Sequence, residues 1–158
     1  YFVTFYIEKD IALRGRATQS STYIGITNAI NAIDGNLDTN LYHGSCSTTN
    51  LDTSPWWRVD LLRPYKISQI VITNRGDCCS ERINGASILI GNSLENNGNN
   101  NPSCSEINYI PSGATQSFQC NNMVGRYVNI IIPGQLTYLS LCEVQVFGVP
   151  ADNTPTCL

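Results

Sequence analysis

Two arginines, an aspartate and two adjacent cysteines lie within one short stretch of the chain. Arg75 and Arg82 carry permanent positive charge, and Asp77 between them can pair with one or both guanidinium groups and fix their orientation. Cys78 and Cys79 have Cα atoms only about 3.8 Å apart across one trans peptide, so a disulfide between them would close a rigid, strained ring. The stretch predicts a fork of N–H donors beside an apolar sulfur bridge, which suits a ligand with several oxygen acceptors.

A second group of residues carries oxygen ligands. Calcium takes six to eight oxygens, and a turn with Gly35 at its apex can point several of them inward. Turns in which Asp and Asn side chains bond to their own backbone explain the same residues without a metal, and the residues alone favour that explanation. The group comprises Asn31, Asp34, Asn36, Asp38, Ser45 and, far along the chain, Cys142 and Glu143.

The composition excludes several kinds of partner. The chain has 158 residues, a net charge of −3 and only 13% charged residues, which argues against nucleic acid or an anionic membrane surface as the main partner. No apolar run approaches the roughly 18 residues of a spanning helix. The apolar start at 1–7 lacks a basic leader and a cleavage site, so we interpret the chain as mature.

Seven cysteines indicate disulfides in an oxidising compartment. There is no Cys-x-x-Cys pair and the chain has one histidine, so a zinc site is not expected. We therefore predict a secreted, extracellular protein. Six cysteines can pair in 15 ways, so the residues alone leave the connectivity open.

Apolar residues recur with a period of two, which is typical of half-buried strands. Clusters of Gly, Pro, Asn and Asp separate these segments and mark turns. One short helix is expected at 27–33, with Thr27 or Asn28 as its cap, and the Asn-rich segment 92–103 is expected to be an exposed loop. Many short strands predict an all-β, antiparallel sandwich or jelly roll. The predicted strands are 56–61, 67–73, 86–90, 115–120, 127–132 and 142–147.

Four motifs together resemble the F-type lectin family: Ala32-Ile-Asp-Gly-Asn36, Trp56-Trp-Arg-Val-Asp-Leu61, Arg75-Gly-Asp-Cys-Cys-Ser-Glu-Arg82 and Leu141-Cys-Glu-Val144. The sharpest is the spacing of Arg75, Asp77 and Arg82 around adjacent cysteines. The resemblance covers roughly residues 11–147, so we treat 1–158 as one domain with terminal segments 1–10 and 148–158. It implies a discoidin-like, galactose-binding-domain-like jelly roll with calcium-stabilised loops and one shallow site.

The resemblance also implies a ligand. In this family two arginines donate to the axial 4-hydroxyl and neighbouring oxygens of L-fucose, and the disulfide of adjacent cysteines packs on the sugar ring. An apolar wall receives the fucose methyl group, and the loop 23–26 is expected to contribute to it. The implied carbohydrate-binding residues are Arg75, Arg82, Thr48, Asp77, Cys78, Cys79, Tyr42 and Leu41.

A structural calcium ion is implied in the same way, with main-chain oxygens supplying several ligands. Its implied ligands are Asn31, Asp34, Asn36, Ser45, Cys142 and Glu143. The implied disulfides are Cys46–Cys142, Cys78–Cys79 and Cys104–Cys120, which leaves Cys157 over.

The chain departs from the family pattern at Thr48, where the family places a histidine. The one histidine, His43, lies too early in the chain to fill that position, and we interpret it as structural. Loss of one hydrogen bond to a neutral hydroxyl costs about 0.5–1.5 kcal/mol, a factor of roughly 2 to 13 in affinity. Weaker or altered sugar preference is expected, without loss of binding.

The favoured function is a secreted lectin for fucosylated glycans that acts in agglutination or innate immune recognition as an oligomer, by resemblance a trimer. An alternative is cell adhesion through Arg75-Gly76-Asp77 as an integrin-type tripeptide. Another is a discoidin-like module for a different glycan or a lipid. Catalysis is not expected, because no pair of facing carboxylates and no Ser-His-Asp or Cys-His pattern is identifiable.

Overall fold

Strands account for most of the regular structure, as the alternating sequence predicts. The structure is a computed structural model that describes residues 8–152; the apolar start of the chain and Cys157 lie outside the described residues. Every strand pair in this part of the chain is antiparallel. The strands are β1 (Lys9–Asp10), β2 (Arg16–Gln19), β3 (Ser47–Thr48), β4 (Asp52–Thr53), β5 (Trp56–Thr73), β6 (Ala86–Gly91), β7 (Ser103–Ile107), β8 (Thr115–Ile131), β9 (Leu136–Thr137), β10 (Ser140–Leu141) and β11 (Glu143–Pro150).

Two long strands, β5 and β8, carry the main sheet. Its strand order is β1-β11-β5-β8-β6-β7, and β2 also pairs with β5. The ladder between β5 and β8 is interrupted between Asp60 and Tyr65 and again between Ile67 and Gln69. The first half of β5 therefore pairs with β2 and the end of β8, whereas its second half pairs with β11 and the start of β8.

One apolar cluster fills the interior. Trp57 and Val59 from the first half of β5, and Ile70 and Ile72 from its second half, are all fully buried in it. Residues from both halves of this one strand therefore contribute to a common core. The arrangement confirms the predicted antiparallel jelly roll, in which burial of alternate residues specifies the register of each strand.

Three disulfides form within the described residues, with the pairing that the family resemblance implied. Cys46 bonds Cys142 and Cys104 bonds Cys120. The third links neighbours Cys78 and Cys79. The first ties the loop after residue 45 to the residue between β10 and β11.

The predicted helix at 27–33 forms only as a 3₁₀ helix, Ala29–Ile33. The side chain of Asn28 makes no capping hydrogen bond, and its Nδ2 donates to the Gly25 carbonyl at 3.0 Å. No helix within residues 8–152 is long and apolar enough to cross a membrane. The other 3₁₀ helices are Ile11–Arg14, Leu41–His43, Ser80–Ile83 and Glu95–Gly98.

Candidate functional site

Asn74 fixes the loop that follows β5. Its side chain is buried; Nδ2 donates to the carbonyl oxygens of Ser80 (3.0 Å) and Ile110 (2.9 Å), and Oδ1 accepts from the Arg75 backbone N–H (2.9 Å). A buried amide with these bonds holds both ends of the loop in place. Residues 75–80 are therefore a rigid segment at the end of the sheet.

Gly76 allows this loop to approach its neighbours. Its N–H donates to the Thr39 carbonyl at 2.9 Å. A Cβ at this position would lie 2.5 Å from Thr39 Oγ1 and 3.0 Å from the Gly113 Cα. Because such distances are too short for a carbon, only glycine fits between the two segments.

Arg75 and Asp77 form a bidentate ion pair. Arg75 Nε donates to Asp77 Oδ1 at 2.9 Å, and Nη2 donates to Oδ2 at 2.8 Å. The side chains are only 5% and 16% exposed, and Oδ1 also accepts from the Leu41 N–H at 3.0 Å. The hydrogen bonds from Arg75 are the main reason that the pKa of Asp77 falls to about 2, and the same bonds raise the pKa of Arg75. The guanidinium keeps its remaining N–H donors for another partner.

This geometry counts against the adhesion alternative. An integrin-type tripeptide must offer its arginine and its aspartate to a partner, but here the two side chains bond each other and Arg75 is buried. Gly76 is packed against Thr39. We therefore discard Arg75-Gly76-Asp77 as an adhesion motif.

Arg82 is placed by the adjacent-cysteine turn. Cys79 has φ 63° and ψ 31°, a left-handed conformation that is uncommon for residues other than glycine, and it begins the 3₁₀ helix Ser80–Ile83. The Arg82 N–H donates to the Cys79 carbonyl at 3.1 Å, and the buried Ile83 anchors the helix. This turn places Arg82 at the same pocket as Arg75.

The two arginines and the disulfide line one pocket of about 170 Å³. Six of the sequence-predicted carbohydrate-binding residues contribute to it, and Asp77 bonds Arg75 without lining the pocket itself. The pocket is lined by Tyr23, Tyr42, Thr48, Arg75, Cys78, Cys79, Arg82 and Tyr138.

Thr48 forms part of the pocket but its hydroxyl is engaged elsewhere. Oγ1 lies 3.0 Å from Ser140 Oγ and donates to the Ser47 carbonyl at 2.8 Å. The residue is almost fully buried. In this arrangement Thr48 offers a ligand little hydrogen bonding, which is consistent with the predicted change in sugar preference.

Leu41 does not belong to the pocket, contrary to the prediction. It is fully buried and packs with Cys46 and Cys142. The 3₁₀ helix Leu41–His43 turns neighbouring side chains in different directions, so Tyr42 faces out while Leu41 faces in. His43 is likewise outside the pocket, where its Nδ1 lies 2.7 Å from Asp38 Oδ2.

Tyr138 is a pocket residue that the sequence analysis missed. The Arg82 guanidinium lies 4.6 Å from its ring centre, and the Tyr23 ring meets it edge to face at 5.8 Å. Strand alternation does not point to it, because Tyr138 lies between β9 and β10 and the next residues, Leu139 and Ser140, are both buried. No local motif connects Tyr138 with Arg82.

The predicted calcium loop contains a series of turns made by its own side chains. The N–H of Asn36 bonds Asp34 Oδ1, that of Asp38 bonds Asn36 Oδ1, and that of Asn40 bonds Asp38 Oδ1. These side-chain oxygens therefore make the turns that the residues alone favoured. The amide oxygen of Asn36 is already used, so that residue can offer a cation its main-chain oxygen.

Glu143 is the unusual group beside this loop. It is fully buried, Oε2 accepts from the Gly35 N–H at 2.6 Å, and Oε1 has no hydrogen-bond partner. Desolvation is the main reason that the pKa of Glu143 rises to about 8. A buried carboxylate with an unpaired oxygen is costly unless a cation or a proton neutralises it.

These residues suit a hard cation that takes mixed oxygen ligands. Within the described residues no group of three or more Asp, Glu, His or Cys side chains is placed to hold a metal, so carboxylates alone do not make the site. Asp34 and Glu143 supply charge, and Ser45 supplies a hydroxyl oxygen. The sulfur of Cys142 is bonded to Cys46, so its only suitable ligand is the main-chain oxygen.

Comparison with known proteins identifies close relatives. A family model described as a NedA-like, galactose-binding domain matches residues 31–130. Fucolectin-4 of Anguilla japonica is 56% identical over 146 residues, which cover 89% of this chain and 80% of the relative. The pentraxin fusion protein of Xenopus laevis is 43% identical over 144 residues, which cover 91% of this chain but only 35% of that protein.

Solved structures show the same fold. A fucolectin from striped bass (Morone saxatilis) serum superposes with a TM-score of 0.88 at 51% identity, over 91% of this chain and 48% of that one. A fucose binding module of Streptococcus pneumoniae superposes with a TM-score of 0.78 at 27% identity, over 89% of this chain and 96% of that one. The fucolectins and the module are binding proteins, which confirms the prediction of a protein that is not an enzyme. The extent and identity of these matches, together with the motif around the pocket, show that the chain belongs to the F-type lectin family.

Proposed function

We propose that the pocket between Arg75 and Arg82 binds L-fucose at the ends of glycans. The observation that carries this proposal is that two guanidinium groups and the Cys78–Cys79 disulfide line one pocket. Sugar hydroxyl oxygens accept hydrogen bonds, and bonds from charged donors contribute about 1.5–3 kcal/mol each. The names of the related fucolectins and of the fucose binding module support the choice of fucose.

The pocket is organised before a ligand enters. Asp77 holds the plane of the Arg75 guanidinium, so little side-chain freedom is lost when that group bonds a hydroxyl. Burial of Arg75 also removes competing water from its donors. Both effects favour a small, uncharged ligand, because such a ligand has no charge with which to orient a free arginine.

Apolar groups supply the other half of the recognition. The exposed disulfide sulfurs can pack on the C–H face of the sugar ring, and the Tyr42 ring can receive its methyl group. Tyr42 is exposed, and its ring centre lies 6.0 Å from the Arg75 guanidinium carbon. A deoxy sugar with a polar edge and an apolar edge fits this mixture of surfaces.

A calcium ion beside Glu143 is the second part of the proposal. When bound, it supplies positive charge to the buried carboxylate. Asn31, Asp34, Asn36, Ser45, Cys142 and Glu143 would hold it, several of them through main-chain oxygens. The unpaired Glu143 Oε1 supports this assignment. The ion would stabilise the loop that precedes the 3₁₀ helix Leu41–His43. This helix carries Tyr42.

The cellular role is proposed from the same features. Three disulfides are typical of secreted proteins, and the striped bass relative comes from serum. One shallow sugar site binds weakly, so agglutination or innate immune recognition would require several sites on one particle. We propose a secreted oligomer, by family resemblance a trimer, that recognises fucosylated surfaces.

Calorimetry with three free sugars tests the fucose assignment. The chain with calcium should bind L-fucose, bind L-galactose more weakly and not bind D-fucose. L-Galactose differs from L-fucose only by a hydroxyl on the methyl carbon, so it isolates the apolar contact, whereas D-fucose is the mirror image. Equal binding of all three sugars, or of none, would overturn the assignment.

A further inference from the structure

The two pocket arginines are held in different ways. Arg75 is paired with a carboxylate, which takes two of its five N–H donors. Within residues 8–152 no carboxylate and no hydrogen bond engages the Arg82 guanidinium. The guanidinium lies against the Tyr138 ring, whose centre is 4.6 Å from the guanidinium carbon. An arginine over an aromatic face gains a cation–π interaction while its N–H donors stay free.

Tyr138 is itself fixed in place. The next residue, Leu139, is buried, and it exchanges two hydrogen bonds with Thr49: the Leu139 N–H donates to Thr49 Oγ1 and the Thr49 N–H donates to the Leu139 carbonyl, both at 3.0 Å. The Tyr23 ring supports the Tyr138 ring edge to face at an interplanar angle of 82°. The Tyr23 N–H in turn donates to the Thr48 carbonyl at 3.0 Å.

We propose that Tyr138 is a positioning residue for ligand binding and does for Arg82 what Asp77 does for Arg75. Its ring holds the guanidinium towards the pocket and leaves all five N–H donors for the ligand. The inference rests on the proposed sugar-binding function of the same pocket. It assigns a role to a residue outside the motif that joins Arg75, Asp77 and Arg82.

The choice of an aromatic partner has a chemical reason. A carboxylate beside Arg82 would occupy donors and add an acceptor that competes with sugar hydroxyls. A ring provides attraction without acceptor oxygens on its face and adds apolar surface next to the site. Of the two arginines, Arg82 is therefore the better supplied with free donors.

Two substitutions at Tyr138 test the role of the ring. Calorimetry with methyl α-L-fucoside should show binding roughly 2- to 30-fold weaker for Tyr138→Leu, the range that corresponds to a cation–π contact. Tyr138→Phe keeps the ring and should bind within about twofold of wild type. Tyr109→Leu, at an exposed tyrosine away from the pocket, is the matched control and should bind like wild type.

A second measurement follows Arg82 directly. The ring current of Tyr138 should shift the Arg82 Nε–Hε NMR signal, identified by its loss in Arg82→Lys. The shift should persist in Tyr138→Phe and disappear in Tyr138→Leu, while the remaining spectrum stays that of a folded protein.

The outcomes separate this inference from the proposed function. If wild type does not bind the fucoside, the proposed function fails, and the NMR signal still decides whether Tyr138 positions Arg82. If wild type binds and Tyr138→Leu binds equally well, the inference alone is overturned. Equal losses in the Phe and Leu variants would also overturn it, because they would assign the effect to the hydroxyl.

Discussion

Two carboxylates of this protein have opposite environments. Asp77 beside the pocket accepts hydrogen bonds on both oxygens, mainly from Arg75, and its pKa falls to about 2. Glu143 beside the predicted calcium loop is fully buried with one oxygen unpaired, and its pKa rises to about 8. Within residues 8–152 the chain supplies a cation for the first group and none for the second.

This difference separates a site for a neutral ligand from a site for an ion. At the pocket the negative charge of Asp77 is already balanced by Arg75, so a ligand needs only to exchange water for the free guanidinium donors. At the loop the negative charge lacks a counterpart, which is the condition that favours binding of a metal ion. The comparison therefore predicts a large response to pH and calcium at the loop and a small one at the pocket.

The largest predicted effect is the pH dependence of folding stability that Glu143 causes in the absence of calcium. Its folded-state pKa lies above its usual value of 4.5, so its contribution to stability is fully present below pH 4.5 and is lost as pH rises through about 8. The loss is on the order of 4–5 kcal/mol across that window. Urea unfolding in a chelator at pH 5 and pH 8.5 measures it.

Calcium and a neutral variant are the controls for this effect. Excess calcium should remove most of the pH dependence, because the ion keeps the carboxylate ionised. Glu143→Gln should lack the pH dependence in chelator and should gain little stability from calcium. A wild-type protein that is equally stable at both pH values in chelator would contradict the contrast between the two carboxylates.

The next effect concerns the ion pair at the pocket. Arg75→Ala should destabilise the fold by about 3 kcal/mol, because it leaves Asp77 without its charged partner in a mostly buried place. Arg126→Ala is a close control: Arg126 also bonds both oxygens of an aspartate, Asp60, at 2.8 and 3.0 Å, but its side chain is 40% exposed.

Arg126→Ala should lower the free energy of unfolding by about 0–1 kcal/mol, which is typical of exposed ion pairs. Urea unfolding at pH 7 with calcium compares the two variants. Equal losses would show that burial does not distinguish the two ion pairs.

The smallest effect concerns Thr48. Thr48→His should strengthen L-fucose binding by a factor of roughly 2 to 13, because an imidazole can reach into the pocket and add one hydrogen bond. Calorimetry with L-fucose measures it, and Ser140→Ala controls for loss of the hydroxyl contact at 3.0 Å. An unchanged affinity would show that position 48 is not part of the binding site.

Much of the pocket could be predicted because its chemistry is local in sequence. Arg75, Asp77 and Arg82 lie on one loop and its helix, so their spacing is visible in the chain. The fold class was predictable for a similar reason, since alternation along β5, β8 and β11 reports which face is buried.

The remaining features depend on contacts that no local pattern records. Leu41 and Tyr42 are neighbours, and only the turn of a short 3₁₀ helix decides which one faces the interior. Tyr138 reaches the pocket from a different part of the chain than Arg82. The unpaired oxygen of Glu143 results from packing. The sequence shows that a carboxylate is present, but it does not show that one of its oxygens lacks a partner.

Titration of L-fucose into Arg82→Ala, beside Arg126→Ala and with calcium present, decides whether the pocket guanidinium groups bind the sugar. Arg82 has no carboxylate partner within residues 8–152, so its loss should leave the fold intact. We expect binding weaker by a factor of roughly 10 to 150 for each charge-assisted hydrogen bond lost in Arg82→Ala, and wild-type binding in Arg126→Ala. A folded Arg82→Ala protein that binds L-fucose as tightly as the control would contradict it.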